Sequence, residues 1–172
     1  LHLLSSSEVG VFLDSEIWTL KSLGSNNDKT YELWSNIKTK LNLGIKAGSE
    51  VITSIDGSSV IFATSRGIAN MHYQENVQSA DQILGYLSDA IQYTYDYYRD
   101  KAIKFVVYKY LILCYLENDN KILLFDIKRN AWWKWSYKAN ISRIFAYNDI
   151  VYILSNNSLY KFDTQYNDYT DD

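Results

Sequence analysis

Four times along the chain an apolar run is followed by a short polar stretch and then a second apolar run. The pairs are residues 10–13 with 17–20, 60–64 with 68–71, 110–116 with 121–125, and 150–154 with 158–162. The joints are Asp14-Ser15-Glu16, Ser65-Arg66-Gly67, Glu117-Asn118-Asp119-Asn120 and Ser155-Asn156-Asn157. Short polar loops between β-branched and aromatic runs predict β-hairpins. The hairpins recur at intervals of roughly 40 to 50 residues, the period of propeller blades. Between them lie further strand candidates at 50–55, 102–108, 131–135 and 142–147. Asp56-Gly57 joins the first of these to the second hairpin as a tight turn. The predicted fold class is all-β and mainly antiparallel, a partial β-propeller of repeated blades. An unrelated meander or a sandwich is the alternative that the same pattern allows.

One stretch departs from this pattern. Val77, Ala80, Leu84, Leu87 and Ile91 are spaced by alternating threes and fours, which puts them on one face of a helix. Ser79 with Gln82 three residues on resembles a capping box, so a helix over 79–92 is expected between blades. The polar stretch 25–42 reads as a loop. Residues 1–163 form the propeller-like domain, and 164–172 form an acidic flexible tail.

Composition narrows the classes. The 172 residues are 47% hydrophobic and 22% charged, enough to bury a core rather than remain disordered. Pro is absent, and together with abundant Asn, Lys, Ile and Tyr this indicates coding in an AT-rich genome. The net charge of −3 provides no basic surface of the kind that grips DNA through its phosphates. The single Cys114 excludes an internal disulfide, and its apolar surroundings in sequence predict a buried, inert thiol. No apolar stretch reaches the length of a membrane helix. The first residue is Leu1 rather than Met, which reads as a piece of a longer polypeptide.

Little in the chain carries catalytic chemistry. His2 and His72 are the two histidines, neither placed in sequence as base to a nucleophile or as part of a metal-ligand set. Asp96, Asp100, Asp126 and Asp149 fall near strand ends, where Asp more often closes turns than pairs for acid–base work. Asp163, Asp168, Asp171 and Asp172 lack EF-hand spacing. No phosphate-cradling glycine motif is present. The expectation is no enzyme activity, no catalytic or metal site and no cofactor.

Aromatic residues are the stronger signal, at 16% of the chain. Strand alternation puts Trp133 and Trp135 on one face and Trp132 with Lys134 on the other. Trp133 and Trp135 are expected in internal sheet packing and Trp132 at a subunit contact. Tyr95 and Tyr97, sharing a strand face with Tyr93, are further interface candidates, because Tyr and Trp bury large area and keep a polar handle.

The run from Lys121 to Trp135 places Phe125-Asp126, a basic-polar turn, and then Ala131-Trp132 and Lys134-Trp135 in order. It resembles a repeat in the tail-tube (nozzle or muzzle) proteins of short-tailed bacteriophages. The stretch 48–57, followed by Ser65-Arg66-Gly67 and then Leu87-Ser88-Asp89-Ala90-Ile91, is similar to a hairpin and a following element in the same proteins. The likeness runs over about 9–163, carried by the order of its parts. It implies a propeller with insertions that assembles as a ring, commonly six-fold, forming the distal channel through which the genome leaves. It implies no catalytic residues. The implied partners are further copies of the chain, the remainder of its own polypeptide, neighbouring tail proteins and DNA in transit. The implied location is the virion tail, and the host cytoplasm during assembly. AT-rich coding would suit a phage of a low-GC host, such as the gut phages related to crAssphage. The chain is short for a closed propeller, which fits a fragment. The alternative function is a non-catalytic propeller that binds glycans or proteins through exposed Trp and Tyr.

Overall fold

The computed structural model describes residues 1–5, 8–25, 32–38, 44–54, 57–72 and 84–162. The alternation read from the sequence becomes antiparallel sheet wherever it is strong. The first sheet comprises β1 (His2–Ser5), β2 (Glu8–Phe12), β3 (Ile17–Ser25) and β4 (Glu32–Lys38). The second comprises β5 (Val51–Thr53), β6 (Ser59–Ala63), β7 (Ile68–His72) and β8 (Leu84–Tyr86). The third comprises β9 (Lys104–Tyr108), β10 (Leu111–Tyr115), β11 (Asp119–Asp126) and β12 (Ala131–Ile141). The fourth has three strands, β13 (Arg143–Tyr147), β14 (Ile150–Ser155) and β15 (Ser158–Lys161). In each sheet, strands that follow one another in sequence lie side by side, so every sheet is an antiparallel meander.

Asparagine does the work at several turns. Asn148 and Asp149 join β13 to β14 with φ of 48° and 58°, and Asn156 and Asn157 join β14 to β15 with 49° and 58°. Two consecutive left-handed residues give the two-residue turn whose twist matches the flanking strands, and Asn and Asp tolerate that region better than other side chains.

The chain divides into two compact units, Leu1–Ala102 and Ile103–Asp172. In the first, Val60, Phe62, Ala69 and Met71 on one face of the second sheet pack with Ile17 of β3. Phe12 meets Phe62 edge-on, ring centres 5.2 Å apart. The segment after β4 closes on the β2–β3 turn, where the Ile45 N–H donates to the Leu13 carbonyl at 2.8 Å. Only glycine fits at Gly44, since a Cβ there would lie 2.0 Å from the Leu13 oxygen. In the second unit, the third and fourth sheets share a core of Val106, Leu113, Ile122, Leu124, Ile144 and Ile153, among others. The third sheet is buried on its other face as well, where Phe105, Ile112, Cys114, Leu123 and Phe125 are each under 5% exposed.

Two expectations are corrected. The helix expected over 79–92 is not what the described part of that stretch forms. Residues 84–86 are β8, paired with β7, followed by a 3₁₀ segment (Leu87–Ile91) and one α-helical turn, α1 (Gln92–Asp96). The three-and-four spacing of Leu84, Leu87 and Ile91 is equally met by a strand that bends into a 3₁₀ turn, and pairing with β7 decides between them. The capping-box residues Ser79 and Gln82 lie outside the described residues, as does the acidic tail. The loop expected over 25–42 contains strand β4, registered on β3 from Trp18 opposite Lys38 to Ser25 opposite Glu32.

Candidate interaction surfaces

A close-knit set of hydrogen bonds lies in the first unit, where the Ser65-Arg66-Gly67 hairpin meets the segment after β8. The Thr64 hydroxyl donates to the Gly67 carbonyl at 2.9 Å and accepts from the N–H groups of Arg66 and Gly67 at 3.1 and 3.0 Å. The next N–H, of Ile68, donates to the Ser88 hydroxyl at 2.9 Å. A side chain at position 67 would put its Cβ 2.5 Å from that same hydroxyl and 3.0 Å from the Tyr86 ring. The Tyr95 hydroxyl donates to the Thr64 carbonyl at 2.6 Å, and the Arg66 guanidinium lies 4.5 Å from the centre of the Tyr86 ring. Gly67 and Ser88, quoted above in separate motifs, thus belong to one contact.

This construction sets the fate of the tyrosines. They lie on a helical turn rather than a strand, so spacing by two does not put them on one face; spacing by four does. Tyr93 and Tyr97 are 93% and 50% exposed, whereas Tyr95 and Tyr98 are 0% and 2% exposed. Tyr95, expected at a subunit interface, is instead a core residue anchored to Thr64. Tyr97 remains at the surface with the Lys101 ammonium 3.6 Å from its ring centre. Beneath the turn, Lys46 donates to the Tyr98 carbonyl at 2.5 Å. Burial lowers its pKa to about 8, outweighing the raising influence of Asp100, with Arg99 adding to the lowering.

In the second unit, Trp132 is half-buried, its ring tilted against Phe125 with centres 5.0 Å apart. Trp135 packs against the shared core and stacks on Phe162 at 5.3 Å. Trp133 shares the face of Trp135, as alternation requires, yet is 52% exposed. It stands on β12, an edge strand, where sharing a face with a covered ring does not itself supply a cover. The turn between Phe125 and Trp132 is closed by Asp126, whose carboxylate accepts from the Arg129 N–H at 3.1 Å and from its guanidinium at 2.7 Å. Burial pushes the Asp126 pKa up, but Arg129 and the Lys128 N–H together outweigh it and leave the group below its ordinary value.

A surface not singled out from the sequence lies on the fourth sheet. Its register puts Phe145, Tyr152 and Lys161 in one row, Arg143, Leu154 and Leu159 in the next, and Tyr147 with Ile150 in a third. All face away from the core formed by Ile144, Val151 and Ile153. Phe145 and Tyr152 stack at 5.3 Å, and Tyr147 and Leu159 are 64% and 58% exposed. The period-two alternation of 143–147 and 150–155 was the signal available, once the covered face is known.

Among the described residues no group of three or more His, Cys, Asp or Glu is placed to hold a metal ion. The His2 ring bonds to the Thr53 hydroxyl at 2.8 Å, and burial, then the terminal amine, lowers its pKa. His72 lies on β7 in register with Ser59. Asp96 is ion-paired to Arg99, and the Asp149 carbonyl accepts from the Tyr108 hydroxyl at 3.0 Å. Cys114 is buried, which pushes its thiol pKa up. Among the described residues no helix is long and apolar enough to cross a membrane. Neither a scan of protein-family models nor a search of curated proteins gives a match to the chain.

Proposed function

We propose that this chain is a structural component of a bacteriophage tail, of the nozzle or muzzle type, forming part of a ring-shaped DNA-exit channel. In this reading the four meanders are successive blades of a propeller or of a fragment of one. The observation that carries it is the recurrence of antiparallel meanders in chain order, three of them four-stranded, which is the form of a propeller blade. The third sheet carries apolar residues on both faces, the composition expected of an inner blade. Two further features support it. The motif pieces that resemble tail-tube proteins come together in the Gly67–Ser88 contact and in the Asp126 turn beneath Trp132. The net charge of −3 suits a wall that lets DNA pass rather than one that holds it.

A channel must hold its subunits firmly and its cargo loosely. Trp132 and Tyr97 keep enough exposed ring to contribute to subunit contacts; Tyr95 does not. The test is equilibrium binding of the purified chain to duplex DNA at physiological salt. No appreciable affinity is expected, and tight, steeply salt-dependent binding would replace the channel with a DNA-gripping protein. The second reading, a non-catalytic glycan binder, is favoured by Tyr93 and Tyr97, which lie one helical turn apart and exposed. Binding to a glycan array that Tyr93→Ala abolishes would favour it over the tail.

A further inference from the structure

We propose that residues 163–172 fold back along β12 of the same chain, covering Trp133 and meeting the cationic β11–β12 turn. Two ring pairs set the direction. Tyr137 meets Tyr160 edge-on with centres 5.9 Å apart, and Trp135 stacks on Phe162 at 5.3 Å. Each step of two residues back along β12 is thus matched by a step of two forward from β15. The Phe162 N–H donates to the Val151 carbonyl at 2.8 Å, so the chain still runs in line with β15 at this point. Trp133 is the next residue on that face of β12, and it is 52% exposed where Trp135 is partly covered. Continuing the same steps brings Thr164 to Trp133, Tyr166 to Ala131 and Asp168 to Arg129. The ten residues suffice for this path, since extended chain advances about 3.3 Å per residue.

Composition fits the path. Residues 163–172 hold Asp163, Asp168, Asp171 and Asp172 with Tyr166 and Tyr169, and no Lys or Arg. At the receiving end the β11–β12 turn carries Lys128 and Arg129, both exposed. The β9–β10 turn beside it, joined through the Ile127 N–H to the Tyr110 carbonyl at 3.0 Å, carries Lys109. The Lys128 ammonium lies 4.5 Å from the Tyr110 ring centre, and the Lys109 ammonium 5.1 Å from that of Tyr108. The carboxylates at this end are Asp126, 3% exposed and ion-paired to Arg129, and Asp149, exposed on the β13–β14 turn. Lys109 and Lys128 therefore outnumber the one carboxylate not already held by Arg129, and the aspartates beyond Phe162 meet a positive balance. Tethering makes the contact intramolecular, so even a weak attraction holds it. Trp132 lies on the opposite face of β12, so this cover and a subunit contact through Trp132 stand or fall separately.

Acrylamide quenching of tryptophan emission reads the cover, comparing the full chain with one ending at Phe162. Removing residues 163–172 should increase quenching, and the increase should disappear when both chains carry Trp133→Phe. In the full chain, Lys128→Glu and Asp168→Lys should each increase quenching as well, and combining them should restore the wild-type value. These two exchanges keep the chain length, so they decide the matter if the shortened chain does not fold. None of the differences should change with protein concentration. Equal quenching in the full and shortened chains, an increase that persists without Trp133, or a combined variant no better than the single ones would overturn the proposal. A difference that grows with concentration would do so too, because it would put the segment on a neighbouring copy.

Discussion

The Ser88 hydroxyl accepts a hydrogen bond from the backbone N–H of Ile68 at 2.9 Å, twenty residues upstream, and the absence of a side chain at Gly67 makes room for it. A buried N–H without its acceptor costs about 1–3 kcal/mol, and Ser88→Ala should lower stability by about that much. Gly67→Ala should do so too, by forcing the hydroxyl away. Removing the hydroxyl also removes part of the clash, so the double variant should lose less than the sum, by about 0.5–3 kcal/mol. Urea denaturation of the four proteins measures this. Strict additivity would mean that the two residues do not act on one another.

The tyrosines supply a contrast within one turn. Tyr95→Phe deletes the 2.6 Å bond to Thr64 in a fully buried place and should cost about 1–3 kcal/mol. Tyr93→Ala, at a position 93% exposed, should change stability by no more than about 0.5 kcal/mol. Equal effects in thermal melts would contradict the helical placement of these rings.

Lys46 gives a pH signature. Its pKa in the folded chain is about 8, against an ordinary value of 10.5. Between those values the unfolded chain binds more protons than the folded one, so this group makes stability rise with pH. Below about 8 both states carry the charge, and the folded state bears its desolvation. The stability difference between wild type and Lys46→Met should therefore move in favour of the wild type from pH 8 toward pH 10.5. A flat difference across that window would show an ordinary, solvated amine.

Cys114 should resist a thiol reagent in the folded chain and react fully in denaturant, because burial disfavours the thiolate that reacts. Rapid labelling under native conditions would show that β10 opens readily.

What the sequence made legible follows from how strongly each segment is apolar. The inner hairpins, β6–β7 and β10–β11 above all, read as strands because they are nearly unbroken apolar runs, and most of their residues are buried whichever face they lie on. β4 was missed because an edge strand pairs on one side only, and backbone bonding to β3 needs no apolar run such as Ile122–Phe125 provides. Tyr93, Tyr95 and Tyr97 read as a strand face by spacing, and docking of Tyr95 on Thr64 accompanies a helical turn instead. Trp133 and Trp135 share one face, as alternation predicts, but alternation does not say how far the covering layer extends along it. The fourth sheet's open face was hidden for the same reason. Its residues look like core residues, and only the packing of Ile144, Val151 and Ile153 on the opposite face shows which set is left outside.

Cryo-electron microscopy of virions that carry this chain tests the central claim most directly. The account predicts copies arranged as a ring around the distal tail axis, with an open channel at the centre. Virions in which the chain lies away from the tail, or does not encircle its axis, would contradict it.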